Sequence, residues 1–184
     1  YLLWQDPLLG LFDRNAEPIP LEEHYAAVRG ELEARCSRPM PESCRGLFEL
    51  IIRLCDVLGS KAKLGLRLKA AYDASDRARL DELAHTELPA VLEKVEALHA
   101  KHAQEWAAWN KPFGWEVLDL RYGGLEARLK TAEARVSAYL RGELGRIEEL
   151  EPERLTFDGR ERVEDLWMGH FNQYHLMVTP NNLG

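Results

Sequence analysis

The chain has 184 residues, 46% hydrophobic and 30% charged, which is enough apolar side chain for one compact domain and too much for a disordered segment. Twenty-four basic residues stand against 31 acidic ones, a net charge of −7, and this excludes the broad cationic surface of a non-specific nucleic-acid binder. No run of about 18 uncharged apolar residues occurs, so no transmembrane helix is expected and no membrane partner is assigned.

The opening, Tyr1-Leu2-Leu3-Trp4-Gln5-Asp6-Pro7-Leu8-Leu9-Gly10-Leu11-Phe12-Asp13, is too apolar for a free tail and must pack on something. It follows neither a Met nor a charged leader, so the chain reads as a piece cut from a longer protein. Asp6-Pro7 signals a turn or helix start, and Pro18 and Pro20 delimit a loop. Residues 21–35 are predicted as a short helix, with Glu22 and Glu23 favourable in its first turn.

Three long helical segments follow. Residues 42–74 carry Leu47, Leu50, Ile51, Leu54, Val57 and Leu58, with a break expected near Gly59-Ser60. Residues 76–109 repeat apolar positions at three- and four-residue steps from Leu80 to Trp106, and Pro89 should kink them or split them so that Glu87-Leu88 ends one piece. Residues 116–150 hold a near-heptad stripe from Leu125 through Val136 and Leu144 to Leu150, which needs a partner helix to cover it. The fold class is therefore all-α: long antiparallel helices, a short apolar N-terminal segment and an irregular C-terminal tail. The expected division is an apolar lead-in over 1–20, a bundle over 21–150, and a C-terminal helix (about 160–171) and tail within 151–184. Trp167, Phe171 and Tyr174 of that last part would cover the core or a neighbouring domain.

Little here promises catalysis. Three cysteines, Cys36, Cys44 and Cys55, form no C-x-x-C pair and suit a reducing, cytoplasmic setting; Cys55 reads as a small buried hydrophobe. His99 and His102 share a helix face, but no acid or thiol stands at zinc spacing beside them, so a solvated face is favoured and no metal or cofactor is expected. The run Lys61, Lys63, Arg67, Lys69 also reads as a solvated face. Asp81-Glu82 are adjacent helical residues pointing about 100° apart, so they do not converge as a glycosidase pair. No Gly-x-Ser-x-Gly elbow, phosphate loop or His-Glu-x-x-His occurs.

The most distinctive stretch is Trp109-Asn-Lys-Pro112-Phe113-Gly114-Trp115-Glu-Val-Leu-Asp119-Leu-Arg121-Tyr-Gly123-Gly124-Leu125. Helical period fails in it, Pro112 and Gly114 make a turn, and the glycine pair allows close backbone approach or a helix start. Two readings stand. Trp115, Asp119 and Arg121 form a ligand rim, or they form a packed corner between two long helices; the corner is favoured.

This stretch from Asn110 to Leu125 resembles the post-barrel region of bacterial family 20 glycoside hydrolases, the β-N-acetylhexosaminidases with a helical C-terminal domain. The opening 1–13 and the run Arg146-Ile147-Glu148-Glu149-Leu150-Glu151 are similar to that domain's two ends. The resemblance implies a (β/α)₈ barrel upstream, holding an Asp-Glu pair. There the Glu is the general acid and the substrate's acetamido oxygen is the nucleophile, oriented by the Asp, through an oxazolinium intermediate. The family's His-x-Gly-x-Asp-Glu motif and its Trp-Gly-Asp-Asp-Gly segment have no match here, so no catalytic residue is carried over and the isolated chain is expected to be inactive. The implied partners are its own barrel, a second copy in a homodimer, and N-acetylhexosamine glycosides for the whole enzyme. Trp115, Asp119 and Arg121 are the substrate-edge candidates. The alternative is a free-standing helical protein–protein interaction module.

Overall fold

The computed structural model describes residues 1–161, and all regular structure among them is helical. The elements are α1 (Asp13–Ala16), α2 (Leu21–Cys36), α3 (Glu42–Lys61), α4 (Leu64–Asp73), α5 (Arg77–Glu82), a π-helical turn (Leu83–Glu87), α6 (Leu88–Trp109), α7 (Trp115–Leu140) and a 3₁₀ turn (Glu148–Leu150). Helices α2, α3, α6 and α7 lie side by side in that order, while α4, α5 and the π turn close one end against α3, α6 and α7. The predicted helix at 160–171, with Trp167, Phe171 and Tyr174, lies outside the described residues.

The core sits where α4, α5, α6 and α7 meet the C-terminal half of α3. Leu64, Leu68, Leu80, Leu83, Val95, Leu129 and Val136 are all sealed from solvent there. The opening segment belongs to this core, because Leu8 is wholly buried in it and Trp4 packs against its edge.

Two helix boundaries differ from the sequence reading, and one holds. Helix α3 runs through Gly59-Ser60 and breaks only at Ala62-Lys63. At Gly59 an added Cβ would sit 3.8 Å from Tyr25 of α2, and Ser60 Oγ donates back to Asp56 O at 3.2 Å, so both residues are accommodated in a continuing helix. Pro89 does divide its segment. The chain widens to a π turn just before it, with Leu88 N–H reaching Leu83 O, which relieves the clash between the proline ring and the carbonyl four residues back.

The segment expected over 116–150 stops at Leu140. Gly142 has φ +78°, its N–H bonds to Tyr139 O at 3.0 Å and Glu143 N–H to Ala138 O at 2.9 Å, the hydrogen-bond pair of a Schellman terminus. Ile147 and Leu150 are therefore not on α7; they fold back and are fully buried. The stripe Leu125, Leu129, Ala132 and Val136 is covered within the chain, so it is not the open seam that suggested a dimer.

Candidate functional site

The distinctive corner joins α6 to α7. Trp106 Nε1 donates to Lys111 O at 2.9 Å, Trp115 N–H to Pro112 O at 3.2 Å, and Gly114 takes the left-handed conformation (φ +95°) that turns the chain into α7. Glu116 accepts the Gly114 N–H at 2.8 Å. Helical structure thus begins at Trp115, and Gly123-Gly124 lies inside α7 rather than at its start.

Behind this turn α6 and α7 enclose a histidine–aromatic cluster. His99 stacks on Tyr122 with ring centroids 4.4 Å apart, and Trp115 covers its other side at 5.9 Å. Its Nδ1 is 3.1 Å from Glu126 Oε1 and its Nε2 3.1 Å from Asp119 Oδ1. His102 Nδ1 is 3.1 Å from Tyr122 Oη. Burial, aided by the charge of His99, holds the His102 pKa below the usual histidine range, and burial pushes the Tyr122 hydroxyl up to about 12. A protonated phenol donating to a neutral imidazole satisfies both shifts. The shared face of His99 and His102 is therefore packed against rings, not solvated.

The three sequence candidates divide. Trp115 and Asp119, one helical turn apart, meet at His99. Arg121 points elsewhere, with its guanidinium 5.8 Å above the Trp4 ring and its Nε buried without a hydrogen bond among the described residues. Asp119 and Glu126 clasp a single imidazole, which leaves no sugar-sized gap between two carboxylates. Asp81 and Glu82 are exposed and pair with His85 and Arg79. No group of three or more metal-binding side chains occurs among the described residues. Cys55 is buried, and burial pushes its thiol up, away from nucleophilic behaviour.

A second polar cluster escaped the sequence reading. Lys61, taken for part of a solvated face, is buried and donates to Leu2 O at 3.2 Å and Gln5 O at 2.5 Å; burial lowers its pKa to about 8. Asp6 Oδ1 accepts the N–H groups of Leu8 (2.8 Å) and Leu9 (2.9 Å), and its Oδ2 accepts from Arg128. Asp13 is fully enclosed beneath Gly10 and Gly65; Gln5 donates to its Oδ1 at 2.5 Å and Arg154 Nε lies 3.3 Å from Oδ2. The only signal in the sequence was the apolar character of the opening that carries Asp6 and Asp13. In the rest of the basic run Arg67 pairs with Glu22 and Glu87 and Lys69 with Asp73, while Lys63 donates to Glu17 O. No helix among the described residues is long and apolar enough to cross a membrane.

A family model, the glycoside hydrolase 20C C-terminal domain, matches residues 1–169. No curated protein matches the chain.

Proposed function

The chain belongs to the family of glycoside hydrolase 20C C-terminal domains, and from that membership we propose that it is the non-catalytic helical domain of a β-N-acetylhexosaminidase. Bond cleavage is assigned to a barrel preceding Tyr1, which removes terminal N-acetylhexosamine with the substrate's acetamido group as nucleophile. The helical domain supports that barrel and pairs with a second copy. The observation that carries this reading is the family match from the first residue to residue 169.

The test compares the full-length enzyme with residues 1–184 alone on a chromogenic N-acetyl-β-glucosaminide and its galacto counterpart. Full-length protein is expected to hydrolyse at least one of them and the isolated domain neither. Turnover by the isolated domain overturns the assignment. On the same reading Trp115, Asp119 and Arg121 lie toward the edge of the barrel's active site. Arg121→Ala in the full-length enzyme is then expected to lower kcat/KM, whereas an unchanged value confines Arg121 to its stack on Trp4.

A further inference from the structure

A chain of hydrogen bonds outside both polar clusters joins α5, the π turn and α7. Asp81 lies on α5, one turn before His85 of the π turn, and its Oδ1 is 3.0 Å from His85 Nδ1. On the other side of the ring, His85 Nε2 is 3.1 Å from Ser137 Oγ, in the last turn of α7. The side chains of Asp81 and His85 are 64% and 50% exposed, while Ser137 is nearly buried.

The three groups have complementary roles. A carboxylate only accepts, so in the neutral ring His85 Nδ1–H donates to Asp81; Nε2 is then an acceptor, and Ser137 Oγ–H donates to it. Ser137 differs here from other helical hydroxyls. Ser60 donates to Asp56 O at 3.2 Å and Thr131 to Ala127 O at 3.0 Å, each back to the carbonyl four residues earlier. Ser137 is aimed instead at a base from another element. Hydroxyl, imidazole and carboxylate, each within hydrogen-bond reach of the next, are the arrangement that activates a nucleophile.

We propose that Ser137 is a covalent modification site, a nucleophilic hydroxyl that takes an acyl group from an activated ester or thioester, with His85 as its base and Asp81 positioning the ring. Ser137 Oγ adds to the acyl carbon and its proton passes to His85 Nε2. As the new O–C bond forms, the C–O or C–S bond to the leaving group breaks, and the departing alkoxide or thiolate takes the proton back from His85. The half-exposed ring marks the side from which the donor approaches. The N–H groups of Ser137 and Ala138 belong to the hydrogen-bond ladder of α7 and are not free to hold an oxyanion. The modification is therefore slow and stoichiometric, an adduct that persists rather than a turnover. It is separate from glycoside hydrolysis, which stays with the barrel.

Peptide mapping by mass spectrometry tests this on the full-length enzyme, after incubation with p-nitrophenyl acetate as acyl donor and, separately, with an alkyl fluorophosphonate, which exchanges its P–F bond for a P–O bond to an activated serine. One adduct is expected at Ser137, and none at that position in Ser137→Ala. His85→Gln keeps an amide that accepts the serine's hydrogen but is no base, so the rate at Ser137 is expected to fall at least about tenfold. Asp81→Asn, at an exposed position, leaves the tautomer of the ring unfixed and slows the adduct as well, while Asp81→Glu retains the rate. A Ser137 left unmodified under conditions that label a serine esterase in the same tube overturns the proposal. An adduct that forms equally fast in His85→Gln and Asp81→Asn also overturns it, since Ser137 is then an ordinary hydroxyl.

Discussion

Asp13 has no exposed surface, and burial raises its pKa from 3.8 to about 6 against the pull of Arg154, Gln5 and Lys61. The folded chain therefore keeps, between about pH 4 and 6, a proton that the unfolded chain has released. Stability is lost as pH rises through this window, by about 3 kcal/mol if each pKa unit carries about 1.4 kcal/mol. Asp13→Asn is expected to flatten the slope of unfolding free energy between pH 4.5 and 7, measured by urea denaturation at several pH values; an unchanged slope would assign the titration elsewhere. At the corner, Tyr122 is 2% exposed and holds His102, His99 and Trp4 around it. Tyr122→Phe forfeits the bond to His102 at about 1 kcal/mol. Tyr122→Ala opens a cavity and costs about 3–5 kcal/mol, both read from thermal or chemical unfolding.

Between elements, α3 and α6 leave no room for a side chain at Gly46. A Cβ on Gly46 would fall 2.3 Å from Glu105 Oε1, and Glu105 is itself held by Lys101 at 3.0 Å. Gly46→Ala is expected to destabilise by about 1–3 kcal/mol, and Glu105→Ala in the same background to recover most of that loss, a coupling that a double-mutant cycle measures. At this scale the periodic runs were the legible part. The apolar steps of α6 and the proline that divides α5 from it could be read directly, because spacing and a missing N–H are local properties. The end of α7 was not readable from the stripe. Leu144, Ile147 and Leu150 keep heptad spacing, yet a left-handed glycine at position 142 turns the chain and brings two of the three back as loop side chains into the same core. The candidate corner was legible as a corner from Pro112 and Gly114, but its centre, His99, came from another helix twenty residues earlier than its partner Asp119.

Over the whole molecule, the opening segment is as much a part of the core as any helix. Leu8 is sealed, and Asp6 joins residues 8 and 9 to Arg128 of α7. Deleting residues 1–13 would take Leu8 out of the core and remove the two carbonyls that accept from the Lys61 ammonium. The shortened domain is expected to lose cooperative thermal unfolding by circular dichroism, and a melt as sharp as that of residues 1–184 would contradict this. Sequence alone identified the segment as packed, from its apolar composition. It could not say on what, because the determining contacts span sequence separations of 56 to 146 residues.

The buried lysine beneath Leu2 and Gln5 has a mechanical consequence. The carbonyl of Tyr1 already closes the first turn by accepting from Trp4 and Gln5, and Lys61 rivets the next residue to α3, so there is no slack at this end of the fold. One ammonium thus holds residues 2 and 5 to α3, so the opening turn and that helix share a single anchor.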